Sequence, residues 1–252
     1  MFFLRHKKRL ADTGFFRGFV DSHSHILPGV DDGSKNVETS LEMLRQSAAQ
    51  GVTDICLTPH FYAEQNTPEK FLEKRTRAAE ELFSHLESGL PRIHLGAEVK
   101  YFEGICQCED LELLKLQGTD IILIEMPFMN WTDRIWRDIE EISSYPNTKV
   151  MLAHLERYLQ FNTEKYLTKP AMHDILIQSN AENFTSGFFQ RRKAMKMLKE
   201  GIIDVIGSDC HNLSSRPPNI AEAREMIKKS LGAGTLARID SIGTNILSNQ
   251  LG

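Results

Sequence analysis

The sequence predicts an α/β protein whose parallel sheet closes into a distorted, TIM-like (β/α)7 barrel. Short, nearly continuous apolar runs rich in β-branched residues alternate with stretches of helical periodicity, as expected for strands buried on both faces. Most of these runs end in a histidine or a carboxylate. In a barrel such ends converge on one mouth, whereas an open doubly wound sheet, the alternative fold, would gather ligands at one switch point.

Seven apolar runs are predicted to form the strands. They lie at residues 18–20, 52–58, 92–97, 120–124, 149–153, 174–178 and 202–207. Helices are predicted at residues 37–50, from Pro68 onward with Thr67 as the N-cap, and at residues 132–144, 163–172, 187–200 and 219–231. Alternating strands and helices indicate parallel strands joined by right-handed crossovers.

The composition indicates one domain. The chain has 252 residues, of which 41% are hydrophobic, and no linker or repeat divides residues 19–252. Residues 1–18 are expected to form a separate N-terminal arm. In residues 1–9 a basic cluster follows a very short apolar run, the wrong order for a signal peptide. A disordered or loosely packed arm is one interpretation, and a weak peripheral attraction to anionic lipid is the other.

Charge and cysteine usage limit the partners and the compartment. A formal net charge of −4 argues against nucleic acid as a partner. The 4 cysteines form no disulfide framework and no C-x-x-C motif, which favours a reducing, cytoplasmic compartment. No apolar run reaches membrane-spanning length.

The motif Asp-Ser-His-Ser-His at residues 21–25 is the strongest functional signal. His23 and His25 alternate at a strand end, so both imidazoles fall on one face and supply half of a metal site. Asp209 and His211 repeat this alternation after the last strand. Other strands end in further candidate ligands: His60, Glu98, Glu125 and His154. Imidazole and carboxylate without thiolate suit Mn, Fe or Zn in a catalytic site.

These motifs, taken in order, resemble a known family. DSHSHILPGVDDG, TPH, GAEV, IEMP, AHLERY and SDCHNLSSRPP are similar to motifs of the polymerase-and-histidinol-phosphatase (PHP) superfamily. Within it, they resemble bacterial capsular-polysaccharide protein-tyrosine phosphatases of the CpsB/CapC type. The resemblance runs from about Asp21 to the C-terminus and implies a PHP-type barrel with three metal ions, usually manganese, that hydrolyses phosphotyrosine. The arm lies outside it.

The resemblance also implies a ligand set. The first metal would take His23, His25, Glu98 and Asp209. Glu98 would bridge to a second metal bound by Glu125 and His154. The third would take Asp32, His60 and His211, with Asp31 as the alternative to Asp32. Arg157 and Arg216 match positions that contact phosphate. The implied substrate is a phosphotyrosine protein, the tyrosine-rich tail of a bacterial autokinase that regulates polysaccharide synthesis.

Electrostatics are consistent with a phosphate substrate. Three divalent ions and four carboxylates leave a net charge of about +2, which suits a phosphate dianion. Clustered metals lower the pKa of bound water towards about 7 and clamp phosphoryl oxygens, and arginine adds bidentate donors. A small-molecule phosphoesterase, such as a histidinol-phosphate phosphatase or a nuclease-like relative, and a metal-binding regulatory module without turnover are the alternatives.

Residues 210–216 also spell C-x5-R, the spacing of cysteine-dependent tyrosine phosphatases. No glycine lies between Cys210 and Arg216 to form a phosphate loop, and alternation turns Cys210 away from the proposed metals. A cysteine mechanism is therefore not expected.

Several neighbours of the ligand motifs have two interpretations. Asp21 either orients a ligand histidine or caps backbone groups. A set of aromatic residues beyond the strand ends either forms a rim for a phenyl ring or packs the loops onto the barrel: Phe61, Tyr62, Phe128, Trp131 and Tyr158.

Overall fold

In the computed structural model, residues 19–161, 163–167 and 175–249 are described, and they form nine strand segments and eight α-helices. The strands are β1 (Phe19–Ser24), β2 (Val52–Leu57), β3 (His60–Phe61), β4 (Arg92–Leu95), β5 (Glu98–Lys100), β6 (Ile121–Glu125), β7 (Lys149–Leu152), β8 (Ile175–Asn180) and β9 (Val205–Gly207). The helices are α1 (Val37–Ala49), α2 (Pro68–Phe83), α3 (Asp133–Ser143), α4 (Glu164–Leu167), α5 (Glu182–Thr185), α6 (Phe188–Lys199), α7 (Ile220–Leu231) and α8 (Ala233–Leu247).

Every strand pair among these elements is parallel. The strand orders are β1-β2-β4 and β3-β5-β6-β7-β8-β9. Backbone hydrogen bonds continue across the interruptions, since Gly96 N donates to Leu57 O over 2.9 Å and Glu98 N donates to Pro59 O over 3.0 Å. At the other end, Asp209 N donates to His23 O over 2.8 Å. The result is a curved parallel sheet whose carboxyl strand ends lie together.

The sheet is buried on both faces, as its apolar runs predict. In β6, Ile122 and Ile124 pack in the large core with the outer helices. Ile121 and Leu123, on the opposite face, belong to a second cluster that includes Ile242 and Ile246 of α8. Alternation therefore turns the last residue of β6, Glu125, to the inner face beside the strand ends.

The predicted helix starts are set by side-chain caps. Asn36 Oδ1 accepts a hydrogen bond from Thr39 N at the start of α1 over 2.9 Å. Thr67 and Thr132 are the N-caps of α2 and α3, and Pro68 takes the first turn of α2. These caps satisfy backbone donors that the helix itself leaves without partners.

Some boundaries differ from the prediction. The run at residues 92–97 breaks after Leu95, so Glu98 begins a new strand instead of following one. The last strand begins at Val205 and not at residue 202. Helix α8 was not predicted from the sequence; its Gly243 allows close packing on β1, because a Cβ there would lie 3.2 Å from Val20 Cβ.

Three predicted features fall wholly or partly outside the described residues. The arm at residues 1–18 is one. The predicted helix at residues 163–172 is described only as Glu164–Leu167, and the predicted strand at residues 174–178 is described from Ile175. Within the described residues, no helix combines the length and apolar character needed to cross a membrane.

Candidate metal centre and active site

Two histidines at the end of β1 face each other. His23 Nε2 lies 3.0 Å from His25 Nε2, and neither side chain is exposed. Glu98 Oε2 lies 3.2 Å from each of these nitrogens. Asp209 Oδ1 lies 3.6 Å from His23 Nε2 and 3.4 Å from His25 Nε2. Donor atoms from three distant parts of the chain therefore surround one point.

Glu98, the first residue of β5, lies at the centre of the cluster and is fully buried. Its Oε1 lies 2.7 Å from His154 Nε2, and its Oε2 lies 3.0 Å from His60 Nδ1. Glu125 Oε1 lies 3.4 Å from His154 Nε2. Because its two oxygens face different imidazoles, Glu98 has the geometry that a bridging carboxylate requires.

A further group of donors lies beside the first. His25, Asp32, His60 and His211 each offer one ligand atom, and these atoms lie within 4.8 Å of one another. Asp32 Oδ1 lies 3.7 Å from His60 Nε2 and 3.5 Å from His211 Nε2. The Asp32 side chain is 67% exposed, so it forms the open edge of the cluster. The structure thus brings all nine candidate ligands into one continuous cluster.

Asp31 takes a different position from Asp32. Its Oδ2 lies 2.7 Å from His25 Nδ1 and accepts a hydrogen bond from His60 N over 2.9 Å. Charge interaction and hydrogen bonding with His25 outweigh the effect of burial and hold the pKa of Asp31 far below its usual value. Asp31 therefore orients His25 from behind the ring, and Asp32 is the neighbour that faces the other donors.

The two oxygens of Asp209 serve different partners. Oδ1 faces the histidines of β1, whereas Oδ2 accepts hydrogen bonds from Arg157 Nη2 over 2.6 Å and from Arg216 Nη2 over 2.7 Å. The two arginine side chains are 34% and 33% exposed. The structure thus places both predicted phosphate-contact residues beside the cluster, where an anion from solvent can reach them.

Two candidate ligands have left-handed backbones. His154 has φ 32° and Asp209 has φ 52°, a region that costs free energy for residues with a side chain. Both backbones are held by hydrogen bonds, because His154 N donates to Gln178 Oε1 over 2.6 Å and Asp209 N donates to His23 O. The strained backbones of His154 and Asp209 thus occur where they direct the two side chains into the site.

The buried charges shift one another's pKa values. Burial disfavours an ionised Glu98, yet the charges of His23 and His60 outweigh it and hold the pKa of Glu98 well below its usual value. Burial also disfavours a protonated His154, but hydrogen bonds with Glu125 and Glu98 raise its pKa to about 9. Glu98 thus stays anionic, and the carboxylates beside His154 favour the protonated form of that imidazole.

The donor set fits divalent metal ions. His60 Nδ1, Glu98 Oε2 and His211 Nε2 are buried and make no hydrogen bond of adequate geometry. In His23 and His25 the two Nε2 atoms face each other. The other ring nitrogen, Nδ1, contacts Gln178 in His23 and Asp31 in His25. Acceptors that converge without donors are costly unless a cation lies between them. Imidazole and carboxylate donors suit Mn, Fe or Zn.

Cys210 is not placed to act as a nucleophile. The residue is fully buried, and burial raises the pKa of its thiol far above the usual value, so the reactive thiolate is disfavoured. Asp21 Oδ1 accepts hydrogen bonds from Ser208 N over 2.8 Å and from His23 N over 3.3 Å. Asp21 therefore caps backbone groups, which is the second of its two interpretations.

The aromatic residues near the strand ends divide into two groups. Phe61 and Trp131 are buried, with 1% and 3% exposure, so their interpretation as rim residues is wrong: Phe61 packs on Phe71 of α2, and Trp131 packs on Trp136 of α3. Tyr158 is fully buried too, but its hydroxyl lies 3.1 Å from His154 Nδ1. Phe128 is 49% exposed and stacks on His154 with ring centroids 6.2 Å apart, and the partly exposed Tyr62 stacks on His60.

Sequence reasoning missed three polar residues at the site: Asp31 as an orienting group, and Gln178 and Asn180 on β8. Asn180 Nδ2 donates to Asp209 Oδ2 over 2.7 Å. The alternation of β8 turns residues 178 and 180 to the same face, which is the signal that could have found them.

The chain is similar to several known proteins. The family model described as capsular polysaccharide synthesis, CpsB/CapC, matches residues 19–246. The tyrosine-protein phosphatase CpsB of Streptococcus pneumoniae is 30% identical over 224 residues, which cover 85% of this chain and 91% of that protein. The tyrosine-protein phosphatase YwqE of Bacillus subtilis strain 168 is 28% identical over 248 residues, which cover 92% of each chain.

A solved structure shares the fold. It comes from a crystallographic description of YwqE from Bacillus subtilis and CpsB from Streptococcus pneumoniae as unique metal-dependent tyrosine phosphatases. It superposes with a TM-score of 0.79 at 23% identity and covers 92% of this chain and 95% of its own. On the extent of the family match and of the relatives' alignments, the chain belongs to the CpsB/CapC family of capsular polysaccharide synthesis.

Proposed function

We propose that this protein is a metal-dependent protein-tyrosine phosphatase. The observation that carries the proposal is the convergence of nine imidazole and carboxylate side chains beside two partly exposed arginines at the carboxyl ends of the strands. Cationic groups around an imidazole–carboxylate metal site suit hydrolysis of a phosphoric monoester. Relatives that align over most of their length carry the name tyrosine-protein phosphatase, which supports phosphotyrosine as the substrate.

The proposed cofactor is a set of three divalent ions, with manganese preferred over iron or zinc. His23, His25, Glu98 and Asp209 would hold the first ion. Glu98, Glu125 and His154 would hold the second, with His60 close to Glu98. Asp32, His60 and His211 would hold the third. The distances between these donors support the assignment, and Glu98 would be shared by two ions.

When bound, the ions would act as Lewis acids towards the phosphate and make hydroxide available near neutral pH. Arg157 and Arg216 would bind the phosphoryl oxygens and stabilise the negative charge that spreads over them in the transition state. Asp31 keeps the His25 ring oriented, and Tyr158 contacts the far nitrogen of His154. Each of these tasks requires a fixed side chain, which the burial of the site provides.

Phe128 is the residue best placed to select an aryl phosphate. Its exposed ring lies over His154 and Tyr158, with centroids 6.2 Å and 5.6 Å away. A phenyl ring that enters the mouth could stack on it, whereas the short side chain of phosphoserine could not. We infer that the substrate is a phosphotyrosine segment of a protein, and that the tail of a bacterial tyrosine autokinase in polysaccharide synthesis is the partner.

We also propose the finer description of the fold as a distorted PHP-type (β/α)7 barrel in one domain, residues 19–252. Counting β2 with β3 and β4 with β5 as interrupted strands gives seven, and the bridge between Ser24 and Cys210 supports closure. The four cysteines are unpaired, which supports a cytoplasmic location.

The substrate is tested with purified protein and added Mn²⁺. Phosphate release is measured from a phosphotyrosine peptide, from the phosphoserine peptide of the same sequence and from histidinol phosphate. We expect the phosphotyrosine peptide to be turned over at least about tenfold faster than the other two, because only it carries a phenyl ring directly on the phosphate oxygen, where the ring can stack on Phe128. Equal rates on the two peptides, or fastest turnover of histidinol phosphate, would contradict the proposal.

A further inference from the structure

Gln178 is a fully buried polar residue that lies behind the candidate ligands. Its Oε1 accepts a hydrogen bond from His154 N over 2.6 Å and lies 3.3 Å from His23 Nδ1. Its Nε2 donates to Asn180 Oδ1 over 3.0 Å, and Asn180 Nδ2 donates to Asp209 Oδ2 over 2.7 Å. One chain of hydrogen bonds therefore reaches three candidate ligands.

The direction of this chain is fixed at both ends. At one end the backbone N–H of His154 can only donate, so the group that faces it must be the oxygen of Gln178. At the other end Asp209 Oδ2 also accepts hydrogen bonds from Arg157 Nη2 and Arg216 Nη2, which can only donate. It can only accept, so Asn180 must present its nitrogen. No other orientation of the two amides satisfies both ends.

This direction determines the state of His23. Because Gln178 presents an acceptor, the Nδ1 of His23 must carry the proton. In the neutral ring, which is the form that a metal ligand requires, Nε2 is then the nitrogen left free, and it faces His25 and Glu98. The same oxygen accepts the hydrogen bond from the left-handed backbone of His154, and thus fixes the position from which the His154 side chain extends into the site.

The packing leaves little freedom for Gln178. Gly207 of β9 pairs with Asn180 of β8. A Cβ at Gly207 would lie 2.6 Å from His23 Cβ and 2.9 Å from Gln178 Nε2. Because Gly207 has no side chain, the amide of Gln178 and the imidazole of His23 have room to approach each other.

We propose that Gln178 is a positioning residue of the metal centre, which sets the tautomer of His23 and the backbone of His154 and, through Asn180, the orientation of Asp209. The inference rests on the metal centre of the proposed function but not on the identity of the substrate. Groups that orient metal ligands typically change metal affinity by about 10- to 100-fold.

The test compares the wild type with variants. Titration calorimetry measures the affinity of each metal-free protein for Mn²⁺, and the absorption spectrum of each Co²⁺-loaded protein reports the geometry of the site. Gln178→Met keeps the volume but removes the acceptor and the donor. Gln178→Glu keeps the acceptor, and in its protonated form also the donor. Ser179→Ala is the matched control, because Ser179 is buried on the same strand but donates to Glu156 on the other face.

We expect Gln178→Met to weaken Mn²⁺ binding by about 10- to 100-fold and to change the Co²⁺ spectrum. Gln178→Glu should restore most of the affinity, and Ser179→Ala should lower thermal stability alone. Asn180→Ala is a smaller deletion that interrupts only the connection to Asp209, and it should also weaken Mn²⁺ binding. It therefore tests the inference even if Gln178→Met does not fold. Wild-type affinity in Asn180→Ala, or equal losses in Gln178→Met and Gln178→Glu, would overturn the inference.

The same titrations separate this inference from the proposed function. A wild-type protein that binds Mn²⁺ but does not hydrolyse phosphotyrosine contradicts the function, while the order of affinities among the variants still decides the role of Gln178.

Discussion

Arg157 donates a hydrogen bond to Asp209 Oδ2 over 2.6 Å, although 52 residues separate the two in the chain. Arg216 and Asn180 donate to the same oxygen. The oxygen opposite, Oδ1, faces His25 Nε2 at 3.4 Å. One carboxylate thus connects the candidate phosphate-binding arginines to the candidate metal ligands.

Alanine at Arg157 or Arg216 should reduce kcat/KM for a phosphotyrosine peptide by roughly one to three powers of ten, as expected for one lost transition-state donor. Metal content at saturating Mn²⁺ should stay unchanged, because Asn180 and the other arginine still hold Asp209. Steady-state kinetics and metal analysis check this. The exposed Arg77, paired with Glu73, provides the control Arg77→Ala. Wild-type kinetics in both site variants would remove the arginines from the reaction.

Glu98→Gln should be among the most damaging single substitutions. The two oxygens of Glu98 face His154 and His60, and the amide would lose the charge and keep only one acceptor. We expect the variant to lose at least about one bound metal ion together with its activity. Elemental analysis of the purified variant measures the stoichiometry, and full metal occupancy would exclude a bridging role.

Substitutions of Phe128 and Trp131 should have different effects, the first on substrate selectivity and the second on thermal stability. Phe128→Ala should lower the preference for phosphotyrosine over phosphoserine with little change in thermal stability, because the ring is half exposed. Trp131 is buried against Trp136 and Tyr166, so Trp131→Ala should cost about 3–5 kcal/mol of unfolding free energy. Rates on paired peptides and thermal unfolding curves test the contrast. Unchanged selectivity in Phe128→Ala would contradict its role.

Asp54 should contribute to stability in a pH-dependent way, away from the metal centre. Burial would raise the pKa of Asp54, but hydrogen bonds from His94 and Arg92 outweigh it and lower the pKa to about 2. Because the pKa of Asp54 is lower in the folded than in the unfolded protein, ionised Asp54 stabilises the fold at pH values above the unfolded pKa near 4. This contribution is lost as the pH falls towards about 2.

Asp54→Asn should therefore unfold at a lower temperature than the wild type near neutral pH, and the difference should shrink between about pH 4 and about pH 2. Thermal unfolding of the two metal-free proteins across this range measures it. A difference that stays constant with pH would show that Asp54 does not act through its charge.

The sequence was most informative where the chemistry coincides with a local pattern. Eight of the nine ligands were predictable because they follow apolar runs, and parallel strands bring their carboxyl ends together, whereas Asp32 was assigned from the family resemblance. The roles of Gln178 and Asn180 were not predictable, since they depend on the pairing of β8 with β9, which no local pattern specifies. The roles of Asp31 and Asp32 depend on how one loop turns.

Helix α8 illustrates the limit for the fold. Its sequence contains two glycines, Gly234 and Gly243, together with threonine and serine, all weak helix formers. The helix is stabilised instead by tertiary packing, because Ile242 and Ile246 join the apolar residues on the inner face of the sheet. Likewise, the burial of Trp131 is decided by Trp136 of α3 and Tyr166 of α4, so its position after a strand end was misleading.

The central claim is that the clustered histidines and carboxylates, and not Cys210, make this protein a phosphotyrosine phosphatase. The most direct test is the initial rate of phosphate release from a phosphotyrosine peptide as Mn²⁺ is added back to metal-free protein, for the wild type and for Cys210→Ser. We expect no turnover without metal, a saturable rise with Mn²⁺, and closely similar curves for the two proteins. Full activity in metal-free protein, or none in a Cys210→Ser variant that binds Mn²⁺ normally, would contradict the claim.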